Sequence, residues 1–155
     1  MVEDGSNQLT VTGLSASVDY VLRVEAEDAA GNLSSTGPSL TATTIDELAP
    51  TWPEGAMVTA WDVGADSLLL WWAVAMDDVG VTGYRIYQDD QEIGAIGADT
   101  TAWPVMGLSP WTDYVFRVEA EDAAGNLSDD GPVATVRTAD EVLPSWPEDA
   151  EIVAS

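Results

Sequence analysis

One sixteen-residue stretch, Asp113-Tyr-Val-Phe-Arg-Val-Glu-Ala-Glu-Asp-Ala-Ala-Gly-Asn-Leu-Ser128, occurs twice in the chain. The earlier copy runs from Asp19 to Ser34 and differs only in carrying Leu22 where the later one has Phe116. Matching positions lie 94 residues apart (107 − 13 for Gly107 and Gly13, 114 − 20 for Tyr114 and Tyr20, 144 − 50 for Pro144 and Pro50). So strict a period restricts the chain to one small module laid end to end, and duplicated modules build length or surface more often than active sites. The 155 residues divide accordingly. Residues 1–45 are the C-terminal part of one repeat, 46–139 a complete repeat, and 140–155 a linker with the first strand of the next.

The complete repeat reads as strands throughout. Pro50-Thr-Trp-Pro53 is a rigid, extended lead-in, because proline fixes its own φ and pushes its predecessor into β or polyproline geometry. Met57 to Trp61 and Ser67 to Val74 follow, with Leu68, Leu70 and Trp72 on one face. Thr82 to Tyr87 turns Tyr84 and Ile86 inward and Arg85 outward. The Gln88-Asp-Asp-Gln91 turn leads to a short strand near Ile93, and Thr100 to Val105 directs Trp103 and Val105 to the core. The repeated stretch then alternates without exception: Tyr114, Phe116, Val118 and Ala120 face one way, and Val115, Arg117, Glu119 and Glu121 the other. Ala123-Ala-Gly-Asn126 is a turn in which Gly125 and Asn126 suit positive φ, and Val133 to Thr138 closes the unit. Seven short strands bounded by turn signals predict an all-β fold of two-sheet sandwiches in tandem.

At these residues the repeat resembles a fibronectin type III domain, an immunoglobulin-like sandwich, in the versions common in secreted and surface proteins of bacteria and archaea. The resemblance rests on Trp72, Asp77, Gly83-Tyr84, Gly107-Leu108, Tyr114, Val118-Glu-Ala120 and Asp122-Ala-Ala-Gly-Asn-Leu-Ser128. It implies that Trp72 and Tyr84 are core residues, and that the Tyr114 hydroxyl ties back to the turn near Leu108. It also implies a scaffold or binding module. Trp111 departs from the family pattern, where a small or polar residue is usual; the earlier copy has Ser17 there. Both chain ends would lack the strands equivalent to Ser67–Val74 and Thr82–Tyr87, which argues against a polymer built by strand donation.

Composition removes whole classes of function. With no Cys and no His, disulfides, thiolate or imidazole metal sites and His-based catalytic triads are excluded. No nucleophile–base pair or phosphate loop takes their place, and the chain reads as non-enzymatic. A formal charge of −24 opposes binding to nucleic acid, which relies on Lys and Arg neutralising phosphates, and opposes anionic membranes. The sequence has neither a secretory signal nor an apolar run of spanning length, so direct membrane insertion is not expected. High acidity without lysine fits a salty habitat or a surface that gathers divalent cations.

Three constellations remain. Asp77, Asp78, Asp122 and Asn126 fall in loops that share one pole of the sandwich, facing the linker residues Asp46 and Glu47. These hard oxygen donors suit Ca2+, and the competing reading is simple turn capping by Asp77 and Asp122. Asn32-Leu-Ser34 and Asn126-Leu-Ser128 are N-glycosylation sequons that equally suit a turn. Among the seven tryptophans, Trp71 points outward, while Trp61, Trp111, Trp52 and Trp146 fall near turns and linkers. Such aromatics serve either to stack on a sugar or to pack the junction, with Trp61 and Trp111 against Trp146. The outward Arg85, Arg117 and Arg137 form either a cross-strand ion-pair ladder with nearby glutamates or a lateral contact with an acidic protomer.

Expected partners are neighbouring repeats, other protomers of a fibre, or a surface glycan. The expected function is structural and adhesive: part of an extracellular or cell-surface stalk, adhesin shaft or filament. The alternative is an accessory spacer or carbohydrate-binding domain of a secreted polysaccharide-degrading enzyme.

Overall fold

A computed structural model describes residues 8–140 and 145. Trp146 and the expected linker and strand beyond Asp140 fall outside the described residues, Ser145 excepted. Nine strands and no helix are present among the described residues. They are β1 (Asp19–Arg23), β2 (Ser39–Thr43), β3 (Val58–Trp61), β4 (Ser67–Trp72), β5 (Val81–Gln88), β6 (Gln91–Gly97), β7 (Ala102–Met106), β8 (Asp113–Asp122) and β9 (Val133–Arg137).

β1 and β2 pair as an antiparallel hairpin of their own, while the other seven strands form two facing sheets, β3-β4-β7 and β6-β5-β8-β9. The chain changes sheet between β4 and β5, between β6 and β7, and between β7 and β8, so the two sheets are stitched together at both poles.

Alternation in the sequence sets which faces meet. From the three-stranded sheet come Val58, Leu68, Leu70, Trp72 and Val105, and from the other Tyr84, Ile86, Phe116, Val118 and Ala120, all buried. Trp72 meets Tyr84 edge-on at 5.5 Å between ring centroids, a geometry that places the positive ring edge against the negative face. The Trp103 ring covers Gly94 so closely that a Cβ there would sit 2.3 Å from its Cζ2. The strand β6 needs glycine at that point for Trp103 to reach the core.

The turns obey their own chemistry. Asp89 and Asp90 take φ of 49° and 65° between paired Gln88 and Gln91, the two-residue arrangement that suits the twist of a hairpin. The Tyr114 hydroxyl accepts a hydrogen bond from the Ser109 N–H at 2.9 Å, and Tyr20 does the same with Ser15 in the earlier copy at 2.9 Å. Behind β9, Thr138 accepts from the Thr112 N–H at 2.9 Å and donates to the Ser109 carbonyl at 2.6 Å. Thr44 repeats this arrangement with Val18 and Ser15.

Two expectations change in detail. Asn126 does not take positive φ; Gly125 alone supplies it in that turn, at 87°. Glu119, expected on a solvated face, is only 4% exposed. The segment after Ser128 folds over it, and Gly131 packs so tightly on Val118 that a Cβ would lie 1.9 Å from its carbonyl oxygen. A buried carboxylate requires hydrogen bonds. Glu119 takes one from the Ser128 hydroxyl at 2.9 Å and pairs with Arg117.

Candidate functional site

The linker, the β4–β5 loop and the β8–β9 turn converge at one pole. In the β4–β5 loop, the Val79 and Gly80 N–H groups donate to Asp77 Oδ2 at 3.0 and 2.7 Å, so the aspartate builds the turn it begins. In the linker, the Leu48 N–H donates to Asp46 Oδ1 at 3.1 Å. At the end of β8, Asn126 donates to both oxygens of Asp122, from its backbone at 2.8 Å and from Nδ2 at 2.7 Å. Burial alone would raise the Asp122 carboxyl. The donors of Asn126, with the backbone N–H groups of Ala124 and Gly125, outweigh it and hold the carboxyl below its ordinary value.

Asp46, Asp77 and Asp122 come together: one oxygen from each lies within 4.8 Å of the others. Asp46 is 8% and Asp122 3% exposed. Asp46 Oδ2 and Asp77 Oδ1 are buried without a hydrogen-bond partner among the described residues. Each pair of charges at such a distance repels by on the order of 3–4 kcal/mol at an effective dielectric near 20. Of the other expected ligands, Glu47 and Asp78 are exposed and stand outside this group. Asn126 takes a different part. Its Nδ2 also reaches the carbonyls of Leu48 at 3.1 Å and Asp46 at 3.3 Å, so it clips the linker to the loop. A hollow of about 810 Å³, lined in part by Thr44, Asp46, Glu47 and Asp78, opens the pole to water.

The sequon nitrogens are both engaged. A glycan on Asn126 would replace a hydrogen of the Nδ2 that holds Asp122 and the linker. Asn32 is exposed, and its Nδ2 donates to Asp28 at 2.8 Å.

Each arginine of the four-stranded sheet already has a partner within the chain. Arg85 grips Glu121 through two nitrogens, at 2.8 and 3.1 Å, and also reaches Glu92. Arg117 pairs with Glu119 and lies 4.3 Å from the Tyr87 ring centroid. Arg137 grips Asp113 at 2.5 and 2.7 Å and stacks on Trp111 at 5.1 Å.

The tryptophans separate. Trp52 packs on the core beside Tyr84, at 5.9 Å, and its Nε1 donates to Ser128 at 3.1 Å. Trp111 is 64% exposed, with φ of 51°. Trp61 and Trp71, 62% and 50% exposed, flank Leu69 on the outer face of the three-stranded sheet and line a shallow hollow of about 300 Å³. Ser128 and Thr138 had no part in the sequence-based site. Ser128 looked like a sequon residue, and its repetition as Ser34 was the available signal of a structural duty.

These geometries define a seven-stranded immunoglobulin-like sandwich with clustered carboxylates at one pole and exposed aromatics on one outer sheet face. The fibronectin type III domain profile matches residues 49–137, and the chain belongs to that family. Chitinase A1 of Niallia circulans is 39% identical over 137 residues, covering 85% of this chain and 19% of that protein. Exoglucanase B of Cellulomonas fimi is 34% identical over 148 residues, covering 90% of this chain and 13% of that protein. The chain therefore spans less than a fifth of either enzyme. A multidomain segment of titin aligns with a TM-score of 0.51 at 26% identity, covering 67% of this chain and 37% of that one.

Proposed function

We propose that the chain is a non-catalytic accessory segment of a secreted bacterial polysaccharide-degrading enzyme, holding other domains of that enzyme at a set separation. One observation carries this reading. Most of the chain aligns with a chitinase and an exoglucanase while occupying a small share of each. That relation suits a module carried beside a catalytic domain. It favours the accessory role over the free-standing stalk, adhesin shaft or filament expected from the repeats. An extracellular setting follows from the same relatives. The acidic surface is compatible with it, since self-repulsion favours solubility.

The test begins with the gene. A hydrolase domain in the same reading frame is the expected outcome, and a frame holding only repeats and a wall anchor would return the reading to a stalk. Deleting the segment from the parent enzyme should then lower hydrolysis of insoluble polymer and leave turnover of soluble oligosaccharides unchanged. Equal loss on both would overturn the spacer role.

A second reading, that the domain itself touches polymer, is favoured by the exposed Trp61–Leu69–Trp71 face, since flat aromatic surfaces stack on sugar rings. Incubation with insoluble chitin or cellulose would deplete the chain from solution, and Trp61→Ala with Trp71→Ala would abolish the depletion. Wild-type chain left in the supernatant would dismiss this reading alone.

A further inference from the structure

We propose that Asp46, Asp77 and Asp122 form a divalent-cation site, suited to Ca2+, that fastens the linker to the loops of the complete domain. The inference rests on the way each carboxylate is held. Asp46 and Asp77 have one oxygen fixed by backbone N–H groups, Oδ1 by Leu48 and Oδ2 by Val79 and Gly80 respectively. In both, the other oxygen is buried and has no partner among the described residues. Asp122 completes the set, held in place by Asn126, which donates to both of its oxygens. Turn capping accounts for the fixed oxygens. It leaves unexplained why two further oxygens in a group of three carboxylates are withdrawn from water.

A buried polar atom without a partner is rare in folded proteins and calls for an ion, a water or a role. Here the neighbours are negative, so the missing partner is positive. The arginines of the domain are committed elsewhere: Arg85, Arg117 and Arg137 are paired with Glu121, Glu119 and Asp113.

The donors select the ion. All are oxygens, and the chain has no Cys or His, which removes the soft and borderline ligands that favour zinc or copper. Two oxygens bound to one Ca2+ at about 2.3–2.6 Å are separated by at most about twice that, in keeping with the 4.8 Å limit of the group. Magnesium demands tighter octahedral geometry at about 2.0–2.1 Å and gives up water reluctantly. Three carboxylates leave further coordination positions for water, and the hollow lined in part by Asp46 adjoins the site. The cation would also neutralise the mutual repulsion of the three charges.

The sequence repeats the components. Asp140 lies 94 residues after Asp46 (140 − 46), and Asp28 with Asn32 precede Asp122 with Asn126 by the same interval (122 − 28, 126 − 32). The earlier pair shows the same internal bonds, with Asn32 donating to both oxygens of Asp28.

The experiment uses the whole 155-residue chain. Thermal melting is followed by circular dichroism in EGTA, in millimolar CaCl2, in MgCl2, and in NaCl of equal ionic strength, because a ligand bound only to the native state stabilises it. CaCl2 should raise Tm by several degrees over EGTA and over NaCl, with a smaller rise in MgCl2. Calorimetric titration with CaCl2 should find a saturable site. Asp46→Asn and Asp77→Asn, which keep shape and relieve repulsion, should fold and lose the calcium-dependent rise, while the exposed Asp99→Asn keeps it. Calcium should also slow proteolytic cleavage between Thr44 and Leu48. Coincident curves in CaCl2 and EGTA would overturn the proposal. So would a rise that survives in both variants or is matched by NaCl, since that is the ion atmosphere of an acidic surface.

Discussion

Replacing Ser128 with alanine removes one hydroxyl that serves three groups, and its cost follows from the geometry around Glu119. The Ser128 oxygen donates to Glu119 at 2.9 Å, accepts from the Ala120 N–H at 2.9 Å, and accepts from Trp52 Nε1 at 3.1 Å. Losing a hydrogen bond to a charged group costs about 1.5–3 kcal/mol, and a buried donor left unsatisfied costs about 1–3 kcal/mol. Trp52 is only half-buried, so its N–H can turn to water at little cost. Glu119 keeps Arg117, which places the sum near the low end of the combined range, about 3 kcal/mol. For a domain of this size that corresponds to a fall in Tm of about 12–24 °C. The internal control is Ser34→Ala. Ser34 occupies the matching position but among the described residues its hydroxyl bonds only the Ala26 N–H, at 3.0 Å, so its loss should cost about 1 kcal/mol or less. Differential scanning calorimetry of both variants decides the matter. A Ser128→Ala shift below about 3 °C would show that Glu119 finds another donor, and would refute the buried-network account.

Three further outcomes are expected. The Asp122 carboxyl is held below its ordinary 3.8 in the fold, so its contribution to stability is complete above that value and lost as pH falls through the lower folded value. Denaturant titrations in EGTA should therefore lose stability below about pH 4, and Asp122→Asn should lessen that loss; an unchanged slope would contradict the assignment. Gly94→Ala would drive a methyl into the Trp103 ring and should cost about 1–3 kcal/mol by overpacking, read as a lower denaturation midpoint with blue-edge changes in tryptophan fluorescence. Asp90→Gly should raise stability by about 0.5–1 kcal/mol, because glycine accepts the φ of 65° that aspartate holds there at a cost; a lower Tm would show that the Asp90 side chain has a duty of its own.

Much of the fold was legible because period-two alternation reports directly on which side chains face the core. Trp72, Tyr84, Phe116 and Val118 are buried where their parity places them. The same rule failed at Glu119. Parity assigns a face and says nothing about a loop that later covers it, and the cover depends on the close approach of Gly131. At the pole, the repeated loop signature and the linker acids pointed to Asp46, Asp77 and Asp122, which do meet. Their neighbours Glu47 and Asp78 were chemically equal candidates. Which acid of each pair turns inward is decided by local backbone bonds, those of Leu48, Val79 and Gly80, and composition carries no trace of them. Asn126 fits glycan acceptor, turn residue and metal donor alike as a letter in the sequence; only its three acceptors identify it as a clip.

The threonine lock behind β9 has a mechanical consequence. Thr138 is bound on both sides, and the next residue, Ala139, donates to Gly64 at 2.9 Å while its carbonyl accepts from Trp111 at 3.2 Å. Ala139 corresponds to Ile45, one residue after the matching Thr44 and one before Asp46, whose carbonyl is clipped by Asn126 of the following domain. In a run of complete repeats the anchored positions would therefore adjoin, with no residue between them left to swivel. Rotating one unit against the next would mean breaking hydrogen bonds to the backbone rather than turning a free torsion angle. A bend imposed at one end of such a chain would be passed along as a lever passes it, instead of being absorbed at the joints.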